Sequence, residues 1–203
     1  MTDTEATELV DRSQRADARR NRALLIDAAR AVFAELGPEA PLDEIARRAG
    51  VGIGTFYRHF PARFEIQEAV MAVHVRELTV AAETQLHEPD PYKALETWLR
   101  LKMESSLEYR GLGVAVWLVV ADKPADFSSL CDLMQTRLGE LLRRAQDAGL
   151  IRSDIAPKQL LRLVHGIVLS TEKSTNRDQD MAQLFGIVMD GLRLSPVRNT
   201  EPS

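Results

Sequence analysis

Residues Leu42–Phe60, LDEIARRAGVGIGTFYRHF, constrain the fold of this chain more than any other stretch. Leu42, Ile45, Ala46 and Ala49 recur at i, i+3, i+4 and i+7, the apolar stripe of one short amphipathic helix. Pro41 suits its first position, where no backbone donor is needed. Asp43 and Glu44 in the first turn and Arg47 and Arg48 in the last complement the helix dipole, and they pair at i,i+4 as Asp43–Arg47 and Glu44–Arg48. Gly50 offers the left-handed backbone that closes a helix, and Val51-Gly52 supplies the turn. A second helix is predicted from about Ile53 to His59. At about 100° per residue, Ile53, Phe56 and Phe60 face inward, Tyr57 and His59 flank them, and Gly54, Thr55 and Arg58 face out.

Two short helices joined by a glycine turn, the second with a small and basic outer face, have the layout of a helix-turn-helix. Gly54 lets a backbone approach closely, Thr55 offers a hydroxyl and a methyl, and Arg58 can take a guanine edge or a phosphate. Tyr57 and His59 are placed for phosphate oxygens. The stretch LDEIARRAGVGIGTFYRHFPAR resembles the DNA-binding signature of TetR-family transcriptional regulators, and the upstream run RALLIDAARAVFAELG is similar to that family's first helix. The resemblance covers roughly residues 18–70. It implies that Thr55, Tyr57 and His59 stand at recognition-helix positions that meet DNA, and that Arg63 meets phosphate. Pro41 and Gly52 stand where many members carry Ser or Thr, so a hydroxyl cap is expected to be missing at both helix starts.

Leu24, Leu25, Ala28, Ala29, Val32, Phe33 and Leu36 give the upstream helix a broad apolar stripe, ended by Gly37-Pro38. Residues 12–63 hold ten Arg, no Lys and six acids, so a basic excess lies where DNA would bind, although the whole chain carries a net charge of −4. Residues 1–11 hold four acids and no base. A disordered leader is expected over 1–14, a DNA-binding head over 15–61, a ligand-binding and dimerisation body over 62–194, and a tail over 195–203.

After Pro61 the apolar spacing stays helical to the end of the body. No alternating run is long enough to argue for a sheet, and the expectation is an all-α chain of about nine helices. One of them is the apolar run Val114–Ala121. No apolar stretch approaches the roughly 18–20 residues that span a bilayer. No signal peptide is recognised at the start, and a single Cys131 excludes an intrachain disulfide. Both fit the cytoplasm. His59, His74, His87 and His165 show no metal-ligand spacing, and neither a nucleophile elbow nor a phosphate-cradling loop is found. No cofactor, no metal and no catalysis are expected.

The last two helices are apolar over more than half their circumference, so each covers its own core and something else. The resemblance implies that they pair with their symmetry mates in a homodimer. Leu160, Val164, Ile167, Val168, Leu184, Phe185, Val188 and Leu192 are the interface candidates. Two half-sites about 34–36 Å apart independently require two heads held at a fixed separation. The resemblance also places an effector pocket in the body, with His74, Trp98, Met103, Trp117, Phe127, Cys131, Met134 and His165 as candidate walls and anchors. Each of these has a plain core reading. The sequence reading is a dimeric, sequence-specific regulator of double-stranded DNA, a repressor released from a palindromic operator by a small molecule. The alternative is a helical binding protein or enzyme that retains an unused head.

Overall fold

A computed structural model describes residues 3–108, 112 and 125–194 of the chain. Eight helices lie among the described residues: α1 (Asp3–Leu36), α2 (Leu42–Arg48), α3 (Ile53–His59), α4 (Arg63–Gln85), α5 (Pro91–Glu108), α6 (Ala125–Asp147), α7 (Pro157–Thr171) and α8 (Arg177–Leu192). They contain no strand; one antiparallel bridge pairs Ile151 with Arg193. The helix expected over Val114–Ala121 lies outside the described residues. α1 begins at Asp3, where a disordered leader to residue 14 was expected. The physical reason is composition: residues 3–36 contain no Gly or Pro and are rich in Ala, Leu, Glu and Arg, all strong helix formers.

The described residues fall into two compact units. The first holds α1–α3, α4 as far as His74, Leu112 and residues 125–127. The second holds α4 from Val75, α5, and residues 128–194. The division therefore falls inside α4 and not at the 61/62 junction expected from Pro61. Ile66, Ala69 and Val70 are the reason: these early α4 residues are buried in one cluster with Leu25, Ala29, Val32 and Phe33 of α1, Ile45 and Ala46 of α2, and Phe56 of α3.

Three helix ends are closed by glycines in the left-handed region, Gly37 (φ +84°), Gly50 (φ +69°) and Gly149 (φ +68°). A side chain there would strain the backbone. The second unit is built on α5, whose Ala94, Leu95, Trp98, Leu99 and Met103 are buried. Leu138, Leu141, Leu142 and Ala145 of α6 are also buried. The indole N–H of Trp98 donates to the Leu78 carbonyl at 2.9 Å, satisfying the one polar atom of the largest fully buried side chain among the described residues.

Candidate nucleic-acid interface

α2 starts at Leu42, with extended Pro41 as its cap residue and no side chain capping it. α3 starts at Ile53 after extended Gly52, again without a side-chain cap. Both missing hydroxyls noted in the sequence are thus missing caps. Backbone bonds do the work at α3, where Thr55 and Phe56 N–H donate to the Gly52 carbonyl at 2.9 and 3.1 Å.

An ion network fixes α2 against α1. Glu44 accepts from Arg47 at 2.7 and 2.8 Å and from Arg48 at 2.7 Å. Arg48 also makes a two-pronged bond to Glu35 of α1, at 2.7 and 2.8 Å. Arg47 therefore pairs with Glu44 one turn back and not with Asp43, because Glu44 offers both oxygens between the two guanidiniums. Hydrogen bonds from Arg47 and then Arg48 hold the Glu44 carboxyl down to about 2, and the bond from Arg48 lowers Glu35. A lowered carboxylate contributes stability that is present above its unfolded value, near 4.5, and is lost as pH falls through its folded value. The expected result is a stability gap between the natural protein and Glu44→Gln at neutral pH that closes between about pH 4.5 and 2, read by thermal melts across that range. The pair is solvent-exposed, so the gap should shrink in high salt as well.

α3 is locked from within. Phe56 and Phe60 are buried, 5.9 Å apart between ring centres, and the Arg22 guanidinium of α1 lies 5.1 Å above the Phe60 ring. Tyr57 meets the Phe56 ring edge-on at 5.5 Å yet stays 48% exposed. Ile53 does not join this core as its spacing suggested. It is exposed, because the first residue of the helix precedes the turn that the aromatic pair clamps.

The outer face is open where the sequence placed it. Gly54 is exposed, and an added Cβ there would meet no atom within 4 Å. Arg58 is exposed and its guanidinium donates to the Thr55 hydroxyl at 2.8 Å, so the two side chains are presented together. His59 is half-buried at the helix end. Arg63 is engaged elsewhere. Its Nη1 donates to the carbonyls of Pro38 and Ala40 at 3.1 and 2.6 Å, with the Glu39 carboxylate 3.8 Å from Nε. Gln67 adds a bond to the Pro38 carbonyl at 2.9 Å. These bonds brace the α1–α2 turn against the start of α4, a role that helix spacing could not reveal.

Residues 25–70 match the bacterial regulatory proteins of the TetR family, and residues 90–194, more than half of the chain, match the C-terminal domain of SbtR-like transcriptional regulators. A TetR transcriptional regulator from Streptomyces coelicolor is 35% identical, covering 86% of this chain and 99% of its own with a TM-score of 0.66. The chain belongs to the TetR family of transcriptional regulators. The TetR transcription regulatory protein from Mycobacterium vanbaalenii is 34% identical over 89% of this chain and 99% of its own, at a TM-score of 0.62. The HTH-type transcriptional repressor LfrR of Mycolicibacterium smegmatis is 32% identical over 130 residues, 62% of this chain and 65% of the repressor. The HTH-type transcriptional regulator TtgW of Pseudomonas putida is 47% identical over 62 residues, 30% of this chain and 46% of its own. The matches thus span less than two thirds of both curated relatives.

In this TetR-family chain the body candidates fare unevenly. Leu160, Val164, Ile167, Val168, Phe185 and Leu192 are buried within the second unit, Val188 is half-buried and Leu184 is exposed. The first six form the inner face. Phe185, for example, lies beneath the Arg100 guanidinium of α5 at 4.8 Å. The apolar face left in solvent is instead Leu163 and Leu169 on α7 and Leu184 and Ile187 on α8, with Ile187 68% exposed. Gly166 and Gly191, at helical spacing from them, have open space where a Cβ would stand. Helices that are apolar nearly all round do not reveal which side meets their own core.

Among the pocket candidates, Trp98, Met103 and Met134 are buried core and Cys131 is half-buried, its thiol pushed up by burial. His165 is exposed on α7, and His74 is buried in the first unit. Trp117 and the side chain of Phe127 lie outside the described residues. The sequence reading missed Lys102, a half-buried cation on the inner stripe of α5. Its spacing from Leu95, Trp98 and Leu99 could have found it. Among the described residues no group of three His, Cys, Asp or Glu could hold a metal, and no helix is long and apolar enough to cross a membrane.

Proposed function

We propose that the chain is a dimeric, sequence-specific DNA-binding repressor of the cytoplasm, released from a palindromic operator by a small-molecule effector. The observation that carries it is the outer face of α3. Tyr57 and Arg58 stand exposed beside the open Gly54, with Arg58 bonded to half-buried Thr55, on a helix whose inner face is fixed by buried aromatics. Such a helix can enter a major groove without rearrangement. Arg58 reads a base edge or a phosphate and Thr55 faces the groove beside it; Tyr57 and His59 set the register. Arg63 is assigned to the brace and not to phosphate.

The exposed apolar face of α7 and α8 supports a second copy as partner: Leu163, Leu169, Leu184 and Ile187 cover it, with Gly166 and Gly191 allowing close approach. Release requires an effector that prefers a body conformation in which the two heads are mis-spaced; equal affinity for both conformations shifts nothing. Helix α4 contributes residues to both units and is the element through which such a preference would act.

Arg58→Ala and Tyr57→Ala test the reading. Arg58→Ala is expected to weaken operator binding by about 1–3 kcal/mol, with helical content and oligomeric state unchanged. Fluorescence anisotropy on operator DNA, beside circular dichroism and light scattering, makes the measurement. Unchanged binding in both variants would favour a protein that keeps the head without using it.

A further inference from the structure

The inner stripe of α5 changes character along its length. Leu95, Trp98, Leu99 and Met103 are buried and apolar, whereas beside Met103 the stripe carries half-buried Lys102, at i+3 from Leu99, and then half-buried Ser105 and Ser106. The Lys102 ammonium donates to the Ser106 Oγ at 2.7 Å. The Ser106 hydroxyl donates in turn to the carbonyl of Lys102 at 2.7 Å, and the Ser105 hydroxyl donates to the same carbonyl at 3.1 Å. A neutral hydroxyl is thus the ammonium's partner, and among the described residues two of its three N–H groups are uncommitted.

Among the described residues no carboxylate pairs with this charge. Burial drives its titration down to about 8. Glu104, close by in sequence, sits on the exposed side of α5. Lysines placed this way normally either carry the ammonium out to water or meet a carboxylate, because a desolvated unpaired charge is costly. Lys102 does neither. Its side chain is half-buried, so part of its surface can be reached. A perturbed, unpaired cation on an inward face marks a binding site better than a structural one.

We propose that Lys102 anchors an anionic effector, a small organic acid whose carboxylate accepts hydrogen bonds from the two free ammonium N–H groups while its apolar part lies against the body. This rests on the reading of the protein as an effector-released repressor, and names the chemical class of the effector. A carboxylate supplies the counter-charge that the described residues do not, and charge-assisted bonds in a desolvated site discriminate strongly against a neutral isostere.

The test titrates full-length protein with matched probes: benzoate against benzamide, salicylate against salicylamide, octanoate against octanamide. Binding is followed by the rise in thermal midpoint and by release of retained operator DNA. At least one acid is expected to bind about tenfold or more tightly than its amide. Lys102→Met should lose that preference and Lys102→Arg should keep it. Lys102→Met removes a desolvated charge and is expected to melt no lower than the natural protein. The acid–amide comparison on the natural protein needs no variant at all. The proposal is overturned if no acid binds better than its amide, or if Lys102→Met retains the preference. Operator retention without any probe reports on the DNA-binding reading separately. A protein that prefers acids yet retains no operator would keep this site and lose that reading.

Discussion

Phe56→Ala is expected to abolish operator retention while the second unit stays folded. Phe56 is fully buried and packs between Tyr57 and Phe60, with Ile45 and Val70 in the same cluster. Truncating a buried Phe costs about 3–5 kcal/mol through lost transfer energy and the cavity left behind. A head built on two seven-residue helices and parts of two longer ones has a small core, and small cores have little stability in reserve. The loss also falls on the contact that aims α3, so a head that survived would still present Tyr57 and Arg58 loosely. Thermal unfolding should show an early transition absent from the natural protein, and limited proteolysis should cut the head first. Full operator affinity in Phe56→Ala would mean that α3 is not held by its aromatic core.

Ile187→Asp is the second large effect, and it acts without touching the fold of one chain. Ile187 is exposed on α8 beside Leu184, opposite the buried Met181, Phe185 and Met189. A charge there costs a single chain little, within about 0.5 kcal/mol for an ordinary surface position. Across a two-fold interface the charge appears twice, once from each copy. Light scattering is expected to report a monomer with unchanged helical content. Operator affinity should fall about 100-fold or more, because the second head no longer binds at the high effective concentration set by the first. A variant that remains a dimer would move the interface away from the α7–α8 outer face.

The head was almost wholly legible in the sequence because its signals are local. The glycines at 37 and 50, the stripe through Ile45, and the outward position of Arg58 follow from spacing and turn chemistry alone. What spacing could not give was pairing that depends on a third element. Arg48 turned out to bridge Glu44 and Glu35 of a different helix, and Arg63 reaches back to the Pro38 and Ala40 carbonyls. The Arg48–Glu35 and Arg63 contacts each cross more than ten residues of chain.

The body was legible as helices but not as faces. In α7 and α8 apolar residues surround most of the helix, so sequence periodicity did not distinguish Phe185, which is core, from Ile187, which is surface. The reverse held on α5. There one polar residue on a well-marked apolar stripe, Lys102, was the informative departure. The end of α1 shows a similar limit: charge and position suggested a loose leader, while the absence of helix breakers carried the helix to Asp3.

The most direct test of a sequence-specific dimeric regulator is to sequence the genomic DNA fragments that the purified protein retains at physiological salt. The expected result is a small set of fragments sharing one palindrome, with half-sites spaced for two heads one helical turn apart, and with affinity well above random duplex at the same salt. Retention of unrelated fragments in proportion to their length, lost smoothly as salt rises, would contradict it.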